Sequence, residues 1–235
     1  MKAMLLAAGR GARLAPLTDT TPKILAPFGG RPLLAHQLEY LQRGGVSEIA
    51  LNVHHHAEQV IAYLDSLRLD VPIRISHEPE LLGTAGALVP LKDFFTEPAI
   101  VLYGDVLTGA SLQALMDEHR RHEPLATLAV YRARGSAGKG VVSLDETGRV
   151  DVFVEKPPEV STEVLINAGL YVIAPELFEL LGPGASDFGY DVWPRALAAG
   201  DTLRASVLET YVRDIGSPAQ LTAAAEDLAA GTLAW

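Results

Sequence analysis

The stretch Lys2-Ala3-Met4-Leu5-Leu6-Ala7-Ala8-Gly9-Arg10-Gly11-Ala12-Arg13-Leu14, continued by Pro16-Leu17-Thr18 and Pro22-Lys23, decides how the chain is read. An apolar run of strand length, residues 2–8, stops at a glycine, and a basic loop follows. Uninterrupted apolar runs of this kind suit strands buried on both faces. A glycine-bearing loop brings backbone N–H groups close to phosphate oxygens, because no Cβ intervenes. Arg10, Arg13 and Lys23 add positive charge. The stretch predicts a strand aimed at a nucleoside triphosphate. It is not a Walker A motif, which ends in Gly-Lys-Ser/Thr. Nor is it a dinucleotide fingerprint, since Leu14 stands where the third small residue belongs.

Charge supports a small anionic ligand. The 235 residues carry a net charge of −10, which argues against nucleic acid as a partner. Residues 1–38 nevertheless hold five basic groups and one acid, so they carry +4 and the rest −14. A cationic island in an acidic chain suits a nucleotide better than a polymer. There is no cysteine, which removes disulfides, thiol catalysis and cysteine zinc sites. The opening apolar run is too short for a signal sequence, and no stretch approaches the roughly 20 apolar residues of a membrane span. A soluble cytoplasmic protein is expected.

Outward from the loop, strands and helices alternate. Pro32 suits the first helical position, and Leu33, Leu34, Gln37, Leu38 and Leu41 form a stripe at helical spacing, stopped at Gly44-Gly45. Strands are predicted over 46–53, 71–76 and 99–103, and helices over 57–67, from Gly83 to about Leu91, and over 112–122 behind an Ser111 cap. His54-His55-His56 sits in a strand-to-helix loop, without the i, i+4 spacing of helical metal ligands. After residue 125 the texture changes. Strands are expected over 125–131, 166–173 and 203–208, and Asp145-Glu146-Thr147-Gly148 reads as a hairpin turn between 140–144 and 149–155. Short helices follow Pro175 and span 192–199, and the last helix starts at Ser217. The expected class is α/β: a Rossmann-like, mostly parallel central sheet with helices on both faces, joined to a small mixed β part. One domain over 1–235 is expected, with a nucleotide-binding half, 1–124, and a mixed half, 125–235.

The motif series Ala7-Ala8-Gly9-x-Gly-x-Arg13-Leu14-x-Pro16-Leu17-Thr18, Pro22-Lys23, Pro27 and Gly30-x-Pro32-Leu33-Leu34 resembles the signature of sugar-1-phosphate nucleotidyltransferases (nucleotide-sugar pyrophosphorylases). Leu82-Gly83-Thr84-Ala85-Gly86-Ala87, Gly104-Asp105, Glu155-Lys156-Pro157, Asn167-Ala168-Gly169-x-Tyr171 and Asp214-Ile215-Gly216 continue it in order. The resemblance implies a Mg²⁺-dependent, in-line attack of a sugar 1-phosphate on the α-phosphorus of an NTP. It implies that Ala7, Ala8, Gly9, Arg10, Gly11, Arg13 and Lys23 bind the nucleotide, with Gly83, Thr84 and Gly86 at its base and ribose. Arg13, Lys23 and Asp105 are the catalytic candidates, and Asp105 and Asp214 the Mg²⁺ ligands. Gly140, Glu155, Lys156, Asn167 and Gly169 are implied for the sugar phosphate, which makes 125–235 the sugar-binding half. In a regular strand Glu155 and Lys156 face opposite sides, so both reach one ligand only if the pleat breaks there. Pro157 biases Lys156 towards extended geometry.

Ala12 and Ile24 depart from the family pattern, where Thr and Pro are usual, without removing a charge. The segment from Glu78 to Gly86 and the Asp214-to-Pro218 ending look most like guanylyltransferases of mannose- or heptose-type 1-phosphates. Uridylyl-, thymidylyl- and adenylyltransferases acting on glucose-, N-acetylhexosamine- or cyclitol-type 1-phosphates stay open. The short C-terminus is expected to leave no room for a β-helix domain. A non-catalytic nucleotide-sugar sensor is the rival of another class, disfavoured by the presence of Arg13, Lys23, Asp105 and Asp214. A glycosyltransferase would show Asp-x-Asp where Asp105-Val106-Leu107 stands. A homo-oligomer is permitted, not required.

Overall fold

Strand β1 (Lys2–Leu6) begins the computed structural model, which describes residues 1–136, 138–159 and 161–233. In chain order there follow β2 (Pro27–Phe28), β3 (Arg31–Pro32), α1 (Leu33–Arg43), β4 (Glu48–Val53), α2 (Ala57–Ser66), β5 (Ile73–His77) and α3 (Gly83–Gly86). Then come β6 (Ala99–Tyr103), β7 (Val106–Thr108), α4 (Leu112–His122), β8 (Ala126–Arg134), β9 (Val141–Leu144), β10 (Val150–Val154) and β11 (Glu163–Ile173). The chain closes with α5 (Trp193–Ala199), β12 (Leu203–Leu208), β13 (Val212–Asp214) and α6 (Pro218–Ala229).

These elements form two interleaved units. The first gathers Met1–Leu81, Leu102–Ala110 and Thr210–Trp235; the second gathers Leu82–Val101 and Ser111–Glu209. The boundary expected near residue 124 does not coincide with this division. The cause is β7, which pairs antiparallel with β13 and so ties the end of the chain to the first unit.

In the first unit β1, β4 and β5 are parallel, with Leu5 opposite Leu51 and Leu51 opposite Ile75. The end of β6 joins them where the Gly104 N–H donates to the Leu6 carbonyl at 2.9 Å. Ala3, Met4 and Leu5 are fully buried, as are Ile49, Ala50 and Leu51. Burial on successive residues, not alternate ones, is the mark of a strand covered on both faces. Side chains of this size each contribute about 1.5–3 kcal/mol when withdrawn from water.

In the second unit β8 pairs parallel with β12 and antiparallel with β11, and β9 pairs antiparallel with β10 and β11. The predicted hairpin turn forms: the Asp145 carboxylate accepts the N–H of Thr147 and of Arg149, and Gly148 takes φ 80°. The pairing of β11 with β8 shifts between Asn167 and Tyr171, around Gly169 at φ 69°. An aromatic cluster fills the core beside this bulge. Phe188 stacks on Trp193 at 4.8 Å, and Tyr171 meets Trp193 edge-on at 5.1 Å.

The strands and helices form the expected α/β, Rossmann-like class with a mostly parallel central sheet and a mixed part. The expected Ser111 cap is present, its side chain accepting the Ala114 N–H, and Ser217, at the expected start of the last helix, also caps it by accepting the Gln220 N–H. Helix-forming residues after Gly83 run shorter than expected, since α3 ends at Gly86 and a 3₁₀ turn covers Val89–Phe94.

Candidate active site

The loop after β1 is shaped by Gly11. Its φ is +66°, and a Cβ there would stand 2.9 Å from Lys23 Cβ and 3.0 Å from Thr18 Cγ2. A left-handed backbone and this crowding both demand glycine. Thr18 Oγ1 donates to the Gly11 carbonyl at 3.0 Å. Gly9 is different: a Cβ there meets nothing within 4 Å, so open space lies before it. The Ala7 N–H is spent on Asn52 Oδ1 at 2.7 Å, and Asn52 Nδ2 donates to buried Glu78 at 2.7 Å. Ala7 therefore offers a ligand only its carbonyl, and Ala8 is buried.

The histidine run braces the same loop. His55 Nε2 lies 3.3 Å from the Thr18 carbonyl and His56 Nε2 3.1 Å from that of Asp19. Gln59 Nε2 donates to the Thr20 carbonyl at 3.0 Å, while His54 Nδ1 lies 2.8 Å from the Glu78 carbonyl. Each ring is engaged by backbone oxygen, which accounts for three histidines without a metal. Among the described residues no group of three or more His, Cys, Asp or Glu side chains can hold a metal ion.

The first unit brings Arg13, Lys23, Asp105 and Asp214 together. Lys23 Nζ forms a short ion pair with Asp105 Oδ2. The Asp105 carbonyl accepts the Ile215 N–H at 2.9 Å, and Asp214 faces Val106 across the β7–β13 pair. Asp214 Oδ1 in turn accepts the Gly216 N–H. A Cβ on Gly216 would lie 2.5 Å from Arg13 Nη2 and 2.8 Å from Asp214 Oδ1, so only glycine lets the guanidinium and the carboxylate crowd this turn. Arg10 and Arg13 are both exposed.

Gln37 completes this arrangement. It is fully buried on α1, and its Nε2 donates to the carbonyls of Gly104, at 3.0 Å, and Val106, at 2.7 Å. One amide thus grips both residues flanking Asp105 and fixes the turn that presents the carboxylate. Among the described residues its Oε1 has no partner. An amide buried with one atom unsatisfied is costly, so the grip outweighs that cost.

The second unit brings together the residues implied for the sugar. Gly140 packs on Glu155 and Asn167: a Cβ there would lie 2.8 Å from Glu155 Oε2 and 3.3 Å from Asn167 Cβ. The Asn167 N–H donates to the Gly140 carbonyl at 2.9 Å, and its side chain joins the Gly169 N–H, at 3.2 Å, to the Tyr171 hydroxyl, at 2.7 Å. Glu155 is wedged between Gly140 and Gly189, where a Cβ on the latter would overlap its Oε2. Burial pushes its carboxyl up from the usual range; the Lys156 charge opposes this and Asp187 reinforces it.

The pleat does break after Val154, but not as Pro157 suggested. Lys156 adopts φ +47°, a left-handed conformation, instead of an extended one. A lysine held there carries backbone strain of about 1–3 kcal/mol. Its ammonium lies 5.3 Å over the ring of Tyr190.

Gly83, Thr84 and Gly86 are committed largely to their own unit. The N–H groups of Ala85 and Gly86 donate to the Ser186 carbonyl at 2.9 and 3.0 Å. The Thr84 N–H and hydroxyl both donate to Asp187 Oδ1, at 3.1 and 3.0 Å. Cβ atoms on Gly83 and Gly86 would lie 2.5 Å from the Ser186 oxygen and 2.6 Å from the Gly184 oxygen respectively. Their smallness serves packing against residues 184–186.

Sequence reasoning passed over Gln37, Asn52, Asp187 and Tyr190. Gln37 carried a signal, a polar residue in an apolar helix stripe. Tyr190 carried none, because its partner lies far back in the chain.

The comparisons with known proteins can be set beside this geometry. The nucleotidyl transferase family model matches residues 2–231. The chain is 35% identical over 225 residues to mannose-1-phosphate guanylyltransferase 1 of Arabidopsis thaliana, covering 93% of this chain and 62% of that one. It is 37% identical over 222 residues to the mannose-1-phosphate guanylyltransferase catalytic subunit beta of Drosophila pseudoobscura pseudoobscura, covering 92% and 59%. It thus spans about three fifths of the length of these curated relatives. The crystal structure of HddC from Yersinia pseudotuberculosis complexed with GMP-PN superposes with a TM-score of 0.83 at 24% identity, covering 97% of this chain and 99% of that one. Among the described residues no helix is long and apolar enough to cross a membrane. With the family model matching nearly end to end, the chain belongs to the nucleotidyl transferase family.

Proposed function

We propose that the protein is a sugar-1-phosphate nucleotidyltransferase that transfers the guanylyl group of GTP to mannose 1-phosphate. The observation that carries this reading is the grouping of Arg13, Lys23, Asp105 and Asp214 in one unit, with two cations from the loop after β1 and two carboxylates from distant stretches of the chain. The identity with mannose-1-phosphate guanylyltransferases supports the choice of substrates.

A phosphate oxygen of the sugar 1-phosphate attacks the α-phosphorus of GTP; the bond from that phosphorus to the β-phosphate bridge breaks, and pyrophosphate leaves. No protein nucleophile is required, in keeping with a chain without cysteine. The protein contributes position and charge. Arg13 and Lys23 bind triphosphate oxygens, with Arg10 as an outer cation, while Gly9 and Gly11 let the backbone approach. Lys156 binds the phosphate of the sugar substrate. Glu155 and Asn167 accept and donate hydrogen bonds to its hydroxyls, beside Gly140 and Gly169.

The donor set suits Mg²⁺. This ion is commonly held by one or two carboxylates together with substrate phosphates, not by an all-protein cage. Asp105 and Asp214 offer two carboxylates from adjoining backbone positions. Bound there, Mg²⁺ would neutralise developing phosphate charge. A cytoplasmic site of action accompanies this reading.

The test is pyrophosphate release from GTP, UTP, dTTP and ATP against mannose, glucose and N-acetylhexosamine 1-phosphates, with Mg²⁺. GTP with mannose 1-phosphate is expected to lead. Preference for another pair replaces the substrate assignment, and silence across the panel defeats the enzyme reading.

A further inference from the structure

Two separately placed stretches of the second unit, Thr84 and Glu155-Lys156, share one neighbour. Asp187 receives the N–H and hydroxyl of Thr84, Gly189 lies against the Glu155 carboxylate, and Tyr190 lies under the Lys156 ammonium. All three belong to the short segment 187–190, which enters a single π-helical turn, Phe188–Val192. Such turns are rare and recur at functional sites. Phe188 anchors it in the core by stacking on Trp193 at 4.8 Å. Tyr190, two residues on, is 56% exposed and contributes nothing to that core.

The Lys156–Tyr190 contact has an unusual chemistry for a cation beside acids. Glu155 is its chain neighbour and Asp187 is close enough to influence Glu155, yet neither forms an ion pair with Lys156 among the described residues. The ammonium instead lies over an aromatic face, at a distance where the ring quadrupole attracts it. A carboxylate partner would neutralise the lysine and compete with an incoming phosphate. An aromatic face orients the ammonium and leaves its three N–H donors able to bind oxygen.

We infer that Tyr190 is a positioning residue for the sugar substrate: its ring holds Lys156, in its left-handed backbone conformation, ready for the phosphate of the sugar 1-phosphate. The inference rests on the proposed role of Lys156 and adds a residue that the motif series does not contain. It assigns Tyr190 the selective task of preparing one substrate's site without touching the other's.

The experiment compares Tyr190→Phe, Tyr190→Leu and Lys156→Ala, measuring kcat and KM for GTP and for the sugar 1-phosphate that the panel selects. Tyr190→Leu keeps bulk and removes the quadrupole; Tyr190→Phe keeps the quadrupole and removes the hydroxyl. Tyr190→Leu is expected to raise the KM for the sugar 1-phosphate about 3–5-fold, with the KM for GTP unchanged and Tyr190→Phe close to wild type. In a Lys156→Ala background, Tyr190→Leu is expected to add nothing, because its effect passes through the lysine. Wild-type kinetics in Tyr190→Leu, equal damage in Tyr190→Phe, or additivity with Lys156→Ala would each overturn the inference. If Lys156→Ala itself leaves the sugar 1-phosphate KM unchanged, the reading of Lys156 falls and the role of Tyr190 falls with it. A raised KM in Lys156→Ala beside an unaffected Tyr190→Leu would sink the Tyr190 role alone.

Discussion

The two units prepare their charged groups in opposite ways. In the first, the backbone around the charged residues is held by side chains that reach its carbonyls. Gln37 grips both sides of Asp105, His55, His56 and Gln59 hold residues 18–20, and Lys23 is already paired with Asp105. In the second, Glu155 is wedged between two glycines in a setting that disfavours its charge, and Lys156 sits in a strained conformation over an aromatic ring. The first arrangement holds its charged groups in place before any ligand arrives. The second leaves a disfavoured carboxylate and a strained lysine side by side. Rigid hydrogen bonding preserves geometry, whereas frustrated charge creates a demand for a partner.

The contrast can be broken most sharply at Asp105. Asp105→Asn is expected to lower turnover about 10²–10³-fold while circular dichroism stays native, since the charge is lost and the shape kept. Unchanged pyrophosphate release would remove Asp105 from the site. Gln37→Leu comes next. It leaves two carbonyls unpaired but also removes the unsatisfied Oε1, so a net loss of about 2 kcal/mol in urea unfolding is expected, with turnover down about 10-fold. A variant as stable and active as wild type would show that the turn around Asp105 needs no brace.

The second unit should also be the acid-sensitive one. His119 is buried on α4, with Nδ1 3.1 Å from Thr127 Oγ1, and burial, aided by the Arg120 charge, pushes its pKa down to about 4. The folded state therefore favours the neutral ring, and the unfolded chain takes up a proton first. This stability is present above about pH 6.5 and lost as pH falls towards 4, amounting to about 2 kcal/mol by pH 5. Urea midpoints against pH should show that loss, and His119→Gln should lessen it; a flat profile in wild type would contradict the assignment. The smallest effect is at Glu155. Its raised pKa means that the ionised form costs stability at neutral pH, so Glu155→Gln is expected to raise Tm by about 1–2 °C there. The gain should shrink as acid protonates the wild-type carboxyl. A lowered Tm would mean that the charge is satisfied within the protein and that the contrast between the units is false.

The sequence revealed contiguous features best. Gly11, Arg13 and Lys23 lie within one loop, and the Ser111 cap is a local hydrogen bond, so nearby residues suffice to foresee them. Gln37 was read as part of an apolar stripe because helical spacing reports which face is buried, not what an amide on that face will meet. Its partners are carbonyls of residues 104 and 106, brought in by the sheet. Lys156 defeated a sound local rule: the residue before proline avoids helical conformations, yet here its tertiary surroundings hold it left-handed. Ala7, Thr84 and Gly86 are expected beside a nucleotide; the internal acceptors of their N–H groups, Asn52, Asp187 and Ser186, are distant in sequence and so go unforeseen.

The β7–β13 pair has a consequence for how the protein matures. It joins Val106 to Asp214, and the larger part of the second unit, Ser111–Glu209, lies in the intervening loop. Closing a loop of about a hundred residues carries an entropic penalty that local contacts do not, and distant pairings tend to form late. During synthesis Lys23 and Asp105 emerge long before Asp214. A chain still being made can assemble a nucleotide loop and one carboxylate, but the second carboxylate arrives only with the final segment. The acidic pair is therefore complete only when the polypeptide between its members has been made.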